Sequence, residues 1–429
     1  MSTPFYDLAS LVVVPSGYKA SKVYAQKPLT TDGQLAFTRS TTATRVNSAG
    51  LIEASAVNVP RLDYTNSTCP KLLLEPSRTN VAIQNTAFDN AAWTKNEVTL
   101  TANVLASPDG TTNADSIVEN SATNAYRRIL PALPFTGTGG AYYTFSFYVK
   151  KIAGQPTRHI YWMCQVSSDA VYAHFNMTTF TVHNVGTSGS GSNASATITA
   201  VGNDWYRITL SGIVSSAGAD YYNQFYFEDS PQTGFSPTPY TGNGTSGFYL
   251  YGWQIEQGAY ATSLINTTTA AVTRLADAAS KTSISSLIGQ TEGTIFWELD
   301  VKIPSASGLE AIVNIDNGAG FGNTIYIYQS NSANLIAEMY VSGVTQASMT
   351  KFSITAGVHK CALAYANNNT AFFVDGVQVG STDTSCSVPA TSRIQMGATA
   401  LSTDTSWTKQ LLLFKTRLTN AQLSELTTI

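Results

Sequence analysis

The sequence predicts an all-β protein, and three observations carry that expectation. Short segments rich in aromatic and β-branched residues recur along the chain, separated by Gly, Pro, Asn and Asp turn signals. Only 12 % of the 429 residues are charged, about half the usual share, and Thr, Ser, Asn and Gly supply the polarity, as in turn-rich β surfaces. A helical pattern is legible only at the C-terminus.

The same totals bound function. The length indicates two to three domains. A net charge of −3 argues against nucleic acid, which needs a basic face. Cys69, Cys164, Cys361 and Cys386 lie far apart, and neither they nor His159, His174, His183 and His359 show metal-ligand spacing. No metal or cofactor is expected. The opening MSTPFYDLASLVVVPSGYK has no basic n-region, and its apolar run Leu11–Val14 is too short for a signal peptide or a membrane span.

Residues 1–36 hold one strand-like run, Leu11–Val14, and then a turn, Pro15–Lys19. So short a piece buries little surface alone and is expected to pack on the following domain or on a partner. Residues 37–80 read as short strands joined by tight turns, with Pro60, Pro70 and Pro76 marking where ladder bonding stops. Arg39, Arg45, Arg61 and Arg78 accompany Glu53, Asp63 and Glu75 there. Surface or interface ion pairs that hold a meander together are the expected use, each weak when exposed. A ligand-binding arginine cluster is the sharper reading.

From about residue 81 a series of strands is predicted: Tyr142–Lys150, Arg158–Val166, Ala170–Asn176, Thr197–Val201, Trp205–Ile213, Tyr221–Glu228 and Phe248–Glu256. Even spacing without helices indicates a sandwich or jelly roll. Ser188–Ser195 (SGSGSNAS) reads as a flexible loop. Residues 264–291 are a Thr/Ala/Ser-rich connector and the best domain boundary.

A last domain starts near Gly293. In Thr294–Ile303, Ile295, Trp297, Leu299, Val301 and Ile303 share one face, while Phe296, Glu298, Asp300 and Lys302 share the other. Ile312–Ile315, Thr324–Tyr328, Ile336–Val341, His359–Tyr365, Thr370–Val374, Val377–Val379 and Lys409–Lys415 follow as strands, with Asp375-Gly376 a strong two-residue hairpin signal. Leu418–Leu426 reads as a short helix, with Thr419 and Gln422 as a capping box and Leu418 with Leu423 as a hydrophobic staple.

The ordered matches Phe37-Thr38-Arg39, Thr42-Ala43-Thr44, Val46-Asn47, Gly50-Leu51-Ile52-Glu53, Val59-Pro60-Arg61, Asp63-Tyr64, Leu73-Leu74-Glu75-Pro76 and Arg78-Thr79-Asn80 resemble a segment of phage virion fibre and decoration proteins. In those proteins the segment leads into carbohydrate-binding-like β-sandwiches. Phe88–Lys95, Trp205-Tyr206-Arg207-Ile208, Tyr251–Ser263 and Val272–Asp277 are similar to their jelly-roll motifs. Phe372–Gly380 resembles a hairpin of concanavalin A-like, laminin-G-like sandwiches, one residue tighter on each side of Asp375-Gly376. The resemblance implies an N-terminal virion-attachment meander (1–80), a carbohydrate-binding-like jelly roll (81–277) and a concanavalin A-like sandwich (278–429). It also implies synthesis in a bacterial cytoplasm, where reduced, partly buried thiols are expected. A Cys361–Cys386 bridge is the alternative.

Aromatic platforms hold sugars because the apolar face of a pyranose stacks on a ring. Tyr222, Tyr226, Trp162 and Tyr240 are the candidates, although a sandwich core also consumes large rings. Period 2 puts Tyr222, Gln224 and Tyr226 on one face of their strand, the better one for solvent contact, opposite Tyr221, Asn223, Phe225 and Phe227. Glu298 and Asp300 fall about 7 Å apart, within the range of glycosidase carboxylates. A solvated face is the simpler reading, because Lys302 stands where some concanavalin A-like glycanases carry a third carboxylate. Glu228-Asp229 and Asp316-Asn317-Gly318 are incomplete calcium-ligand sets. The expected function is a non-enzymatic virion protein, a head fibre, decoration or tail-fibre subunit. It would bind capsid or tail proteins, form dimers or trimers and adhere to cell-surface or mucin glycans. A tail-associated depolymerase or a ligand-free cement protein is the alternative.

Overall fold

The computed structural model describes residues 5–301, 309–330, 333–397 and 406–429, with the side chains of 309–311 left aside. It is almost wholly antiparallel β, as the composition predicted. The chain forms two compact units: residues 1–48, 54–77 and 275–429 make one, and residues 49–53 and 78–274 the other.

The first unit corrects the expectation of a separate segment over 1–80. Its two sheets draw on both ends of the chain. Leu11–Val13 pairs with Leu411–Leu413, Lys71–Leu74 pairs with the same Ser406–Phe414 strand, and Arg61–Asp63 extends that sheet. In the facing sheet Lys22–Tyr24 and Gln34–Thr38 join Ala278–Lys281 and, beyond it, Arg393–Gly397. Leu11, Val13, Val23, Leu35, Phe37, Leu62, Leu72 and Leu74 share one core with Trp297, Leu363 and Phe372. The reason is burial: these alternating residues need an apolar partner that a short meander cannot supply.

Glu298 and Asp300 are a second correction. They are 5 % and 7 % exposed rather than solvated. The C-terminal helix Asn420–Thr427 covers the outer side of this sheet, where Leu418 and Leu423 pack with Phe296 and Phe373. Further along the same face Lys409 meets Glu298 at 2.7 Å, and Lys71 meets Asp300. Lys302 and Ile303 lie outside the described residues. The helix begins as expected, with the Thr419–Gln422 capping box formed. Asp375 and Gly376 take φ of 50° and 81°, the left-handed pair of a tight hairpin turn.

The arginines are also placed differently from the expected surface pairs. Arg39 and Arg61 are 1 % and 0 % exposed, and both donate to Asp277. Arg61 also donates to Glu75 at 2.6 Å, and the Glu75 backbone N–H donates to Asp277 at 2.8 Å. Burial opposes the Arg61 charge, but Asp277 and Glu75 more than offset this and raise its pKa.

The second unit is the jelly-roll-like sandwich. One sheet runs Val98–Ala106, Thr112–Glu119, Gly247–Gln257, Tyr142–Lys151, Trp205–Ile213 and Ser192–Gly202. The other runs Trp93–Asn96, Arg128–Pro131, Ala219–Glu228, His159–Val166, Asp169–Asn176 and Thr181–Ser188, with Phe135–Gly137 beside Ala219–Glu228. The segment expected to be a flexible loop is instead a tight turn and the start of a strand, with the Gly191 N–H donating to the Ser188 carbonyl. The core is aromatic: Phe147 stacks on Trp253 at 4.7 Å, and Trp162, Phe225 and Trp93 pack around them. The connector over 264–291 likewise divides: the unit boundary falls at 274/275, inside it.

Candidate functional site

Alternation builds one continuous row on the outer face of the Trp93–Ser188 sheet. Asn96 pairs with Arg128, Arg128 with Tyr226, Tyr226 with Tyr161, Tyr161 with His174 and His174 with Asn184. In-register partners on antiparallel strands point to the same face, so these side chains cross the whole sheet side by side. The next row holds Gln224, Met163, Tyr172 and Gly186. A Cβ at Gly186 would lie 2.5 Å from the Tyr172 ring, so the glycine lets that ring lie flat across its strand.

Half of this face is covered. The Asn184 amide donates to the Thr233 carbonyl at 2.7 Å, and the Tyr161 hydroxyl donates to the Phe235 carbonyl. His174 bridges the Glu228 carboxylate (Nδ1, 3.0 Å) and the Gly234 carbonyl (Nε2, 2.8 Å), and Phe235 packs on Tyr172. Glu228 is thereby committed, which removes it from the calcium-ligand reading. Asp316 is equally committed, to Arg393 at 2.7 and 2.8 Å and to Asn314. No group of three His, Cys, Asp or Glu that could hold a metal occurs among the described residues.

The other half has no loop over it among the described residues, though Gln224 and Tyr226 are themselves buried among their neighbours, 4 % and 5 % exposed. Arg128 donates through Nε to Asn96 (3.0 Å) and through Nη1 to Gln224 Oε1 (2.8 Å) and the Tyr226 hydroxyl (3.0 Å). Tyr226 in turn donates to Gln224 Oε1 at 2.8 Å. Burial raises the Tyr226 pKa, which keeps the phenol protonated and donating. Tyr126 and Tyr222 stand on either side, 48 % and 45 % exposed. At about 3.3 Å per extended residue, Tyr126, two residues before the Arg128 strand begins, lies ~7 Å from Arg128, and Tyr222 lies ~13 Å from the Tyr226 level in the other direction. That length suits an oligosaccharide rather than one sugar.

The structure separates the four aromatic candidates. Tyr222 presents a ring to solvent. Tyr226 lies on the expected face but is 5 % exposed, because Tyr126 packs edge-on against it at 6.3 Å and the Arg128 guanidinium lies 5.7 Å from its ring. Trp162 is fully buried against Phe147 and Trp253 and offers no face to a sugar. Tyr240 is 8 % exposed and serves as a bolt: its hydroxyl donates to Glu119 at 2.5 Å, and Arg127 and Arg158 lie 4.4 and 5.1 Å from its ring. Arg128, Tyr126 and Asn96 escaped the sequence reading because the four-residue strand that holds Arg128 has too few alternations to be seen.

Glu119 carries a consequence for acid stability. Burial would raise its pKa, but Arg158, the Asn243 N–H and Tyr240 more than reverse this and lower it from the ordinary 4.5. A depressed carboxylate gives stability that is complete above its unfolded value and lost as pH falls through its folded value. Urea unfolding of the second unit is therefore expected to weaken below about pH 4.5, and Glu119→Gln to flatten that dependence. Parallel pH curves for the two proteins would refute the assignment.

All four cysteines are free, with Cys69 exposed and the other three buried, so Cys361 and Cys386 are not bridged. No helix among the described residues is long and apolar enough to cross a membrane. No protein-family model and no curated protein matches the sequence. Among solved structures, the chain is similar to the Ruminococcus gnavus IT-sialidase CBM40 bound to alpha2,3 sialyllactose (15 % identity, TM-score 0.29, 34 % of this chain and 91 % of that one). It is also similar to the native heptameric SAP-like pentraxin from Limulus polyphemus (14 %, 0.24, 31 % and 68 %). A third is Trypanosoma rangeli sialidase (10 %, 0.29, 73 % and 60 %).

Proposed function

We propose that this chain is a non-enzymatic phage virion protein, a fibre or decoration subunit, that adheres to glycans through the open half of the jelly-roll outer sheet. The observation that carries the glycan reading is the pair of half-exposed tyrosines, Tyr126 and Tyr222, flanking Arg128 on a rigid sheet. Rings supply stacking surface, the guanidinium and amide supply orientation, and the strands hold both in place. The virion assignment rests on the ordered sequence motifs of residues 37–80. Because most of those motifs, all but Gly50–Glu53 and Arg78–Asn80, are woven into the two-ended sandwich, attachment belongs to that unit rather than to a detachable arm. Dimers or trimers would multiply weak single-site binding by avidity.

The enzyme reading draws no support from Glu298 and Asp300, which are buried and each paired with a lysine. Binding of the full chain to a glycan array tests the proposal. Tyr126→Ala and Tyr222→Ala are each expected to weaken the strongest signals by about 1–2 kcal/mol, five- to thirtyfold, with unfolding midpoints unchanged. Unchanged binding in both variants would overturn the site. Immunogold labelling of the parent particle tests the virion assignment, and its absence from particles would end it.

A further inference from the structure

On the glycan-binding reading of this face, we infer that the ligand carries a carboxylate, and that Arg128 and Gln224 together receive it. The open half of the sheet is a set of donors waiting for an acceptor. Arg128 has its Nε and Nη1 fixed by Asn96, Gln224 and Tyr226, all neutral groups. Its Nη2 makes no hydrogen bond, and among the described residues no Asp or Glu forms an ion pair with it. Arg39, Arg61, Arg127, Arg158 and Arg393 all have carboxylate partners. Gln224 shows the same asymmetry. Its Oε1 accepts from both Arg128 and Tyr226, which leaves Nε2 as a donor with no partner. Gln224 is 4 % exposed and Arg128 half-buried, yet neither Arg128 Nη2 nor Gln224 Nε2 is fully shut off from solvent, so each unpartnered donor sits at the edge of the surface.

The orientation of Gln224 is what makes the pair selective. With Oε1 tied down by two donors, the Gln224 amide keeps only its N–H groups for a ligand. A sugar hydroxyl can accept from one of them, but it gains no compensation for the guanidinium charge. A carboxylate accepts from both, and its hydrogen bonds to a charged donor are about twice as strong as neutral ones. The guanidinium is half-buried, so less water competes for it than on an open surface. Tyr126 and Tyr222 then bracket the charged residue of the glycan with its uncharged neighbours. The class this describes is an acidic oligosaccharide, with a uronic or nonulosonic acid seated at Arg128.

The experiment uses the full chain on an array of carboxylated glycans, each beside its carboxyl-reduced, neutral counterpart. Signals are expected to concentrate on the carboxylated members and to fall about tenfold or more on reduction. Arg128→Gln should cost the carboxylated members more than their neutral counterparts and so close the gap between the two, and Arg128→Lys should reopen part of it. Unfolding midpoints identify a variant that fails only by misfolding, and the wild-type comparison needs no variant at all. Equal binding of both members of each pair would overturn the carboxylate inference but keep the site, provided Tyr222→Ala still weakens binding. Binding that ignores Tyr126→Ala and Tyr222→Ala as well as Arg128→Gln, or no binding to any member, would overturn both.

Discussion

Replacing Asp277 with alanine is expected to cost the two-ended sandwich about 3–5 kcal/mol, the usual loss when a buried charge loses its partner. Asp277 is fully buried and accepts from Arg39 at 2.9 Å, from Arg61 and from the Glu75 backbone N–H. Removing it leaves two guanidinium groups inside the protein with one carboxylate, Glu75, between them. Arg39 also donates to neutral acceptors, among them the carbonyls of Thr41, Ala56 and Val59. Both guanidinium groups would lose the Asp277 charge in a medium that solvates them poorly. Asp277→Asn keeps the shape and one acceptor oxygen, so it should fall between wild type and alanine. Urea unfolding followed by the Trp297 signal would read this unit, and a loss below about 1 kcal/mol would show that the network is not needed for stability.

Trp162→Ala is expected to cost the second unit about 3–5 kcal/mol as a large-to-small core change. The indole is fully buried, lies 4.6 Å from the Phe147 ring and 5.5 Å from Trp253, and donates to Asn223 Oδ1 at 3.2 Å. Its removal opens a cavity in the middle of the aromatic cluster, and the neighbouring strands are too rigid to close it. Near-ultraviolet circular dichroism and urea unfolding should move together, and glycan binding should disappear only where the unit unfolds. A variant with wild-type stability but no binding would return Trp162 to the ligand site.

Local signals are legible in the sequence. Trp205–Ile213 and Thr370–Val374 begin and end where expected, as does the turn at Asp375-Gly376, because each is decided by neighbours in sequence. Val98–Ala106 and Thr181–Ser188 were missed because both lie at sheet margins, where alternation leaves them half exposed and rich in Thr, Asn and Ser. Long-range pairing was not legible at all. Nothing near Leu11–Val13 announces its partner at Leu411–Leu413, and Arg39 finds its carboxylate at position 277. The candidate site shows the same division. Period 2 put Tyr222, Gln224 and Tyr226 on the outward face, but only the neighbouring strand decides which of them is covered. Arg128 and Tyr126 close over Tyr226 and leave Tyr222 open.

The strand pairing between the two ends of the chain also sets a timetable for synthesis. Leu11–Val13 and Lys71–Leu74 both dock on Ser406–Phe414, so neither can reach its final place until nearly the whole chain has left the ribosome. At roughly 5–20 residues per second, the early apolar strands wait on the order of tens of seconds. During that interval the inserted unit, residues 78–274, has all but the short 49–53 strip of its own residues in one continuous run and can fold first. The nascent chain thus carries one finished unit and one unfinished unit, and the unfinished one is the part exposed to chaperones and to mispairing with other copies.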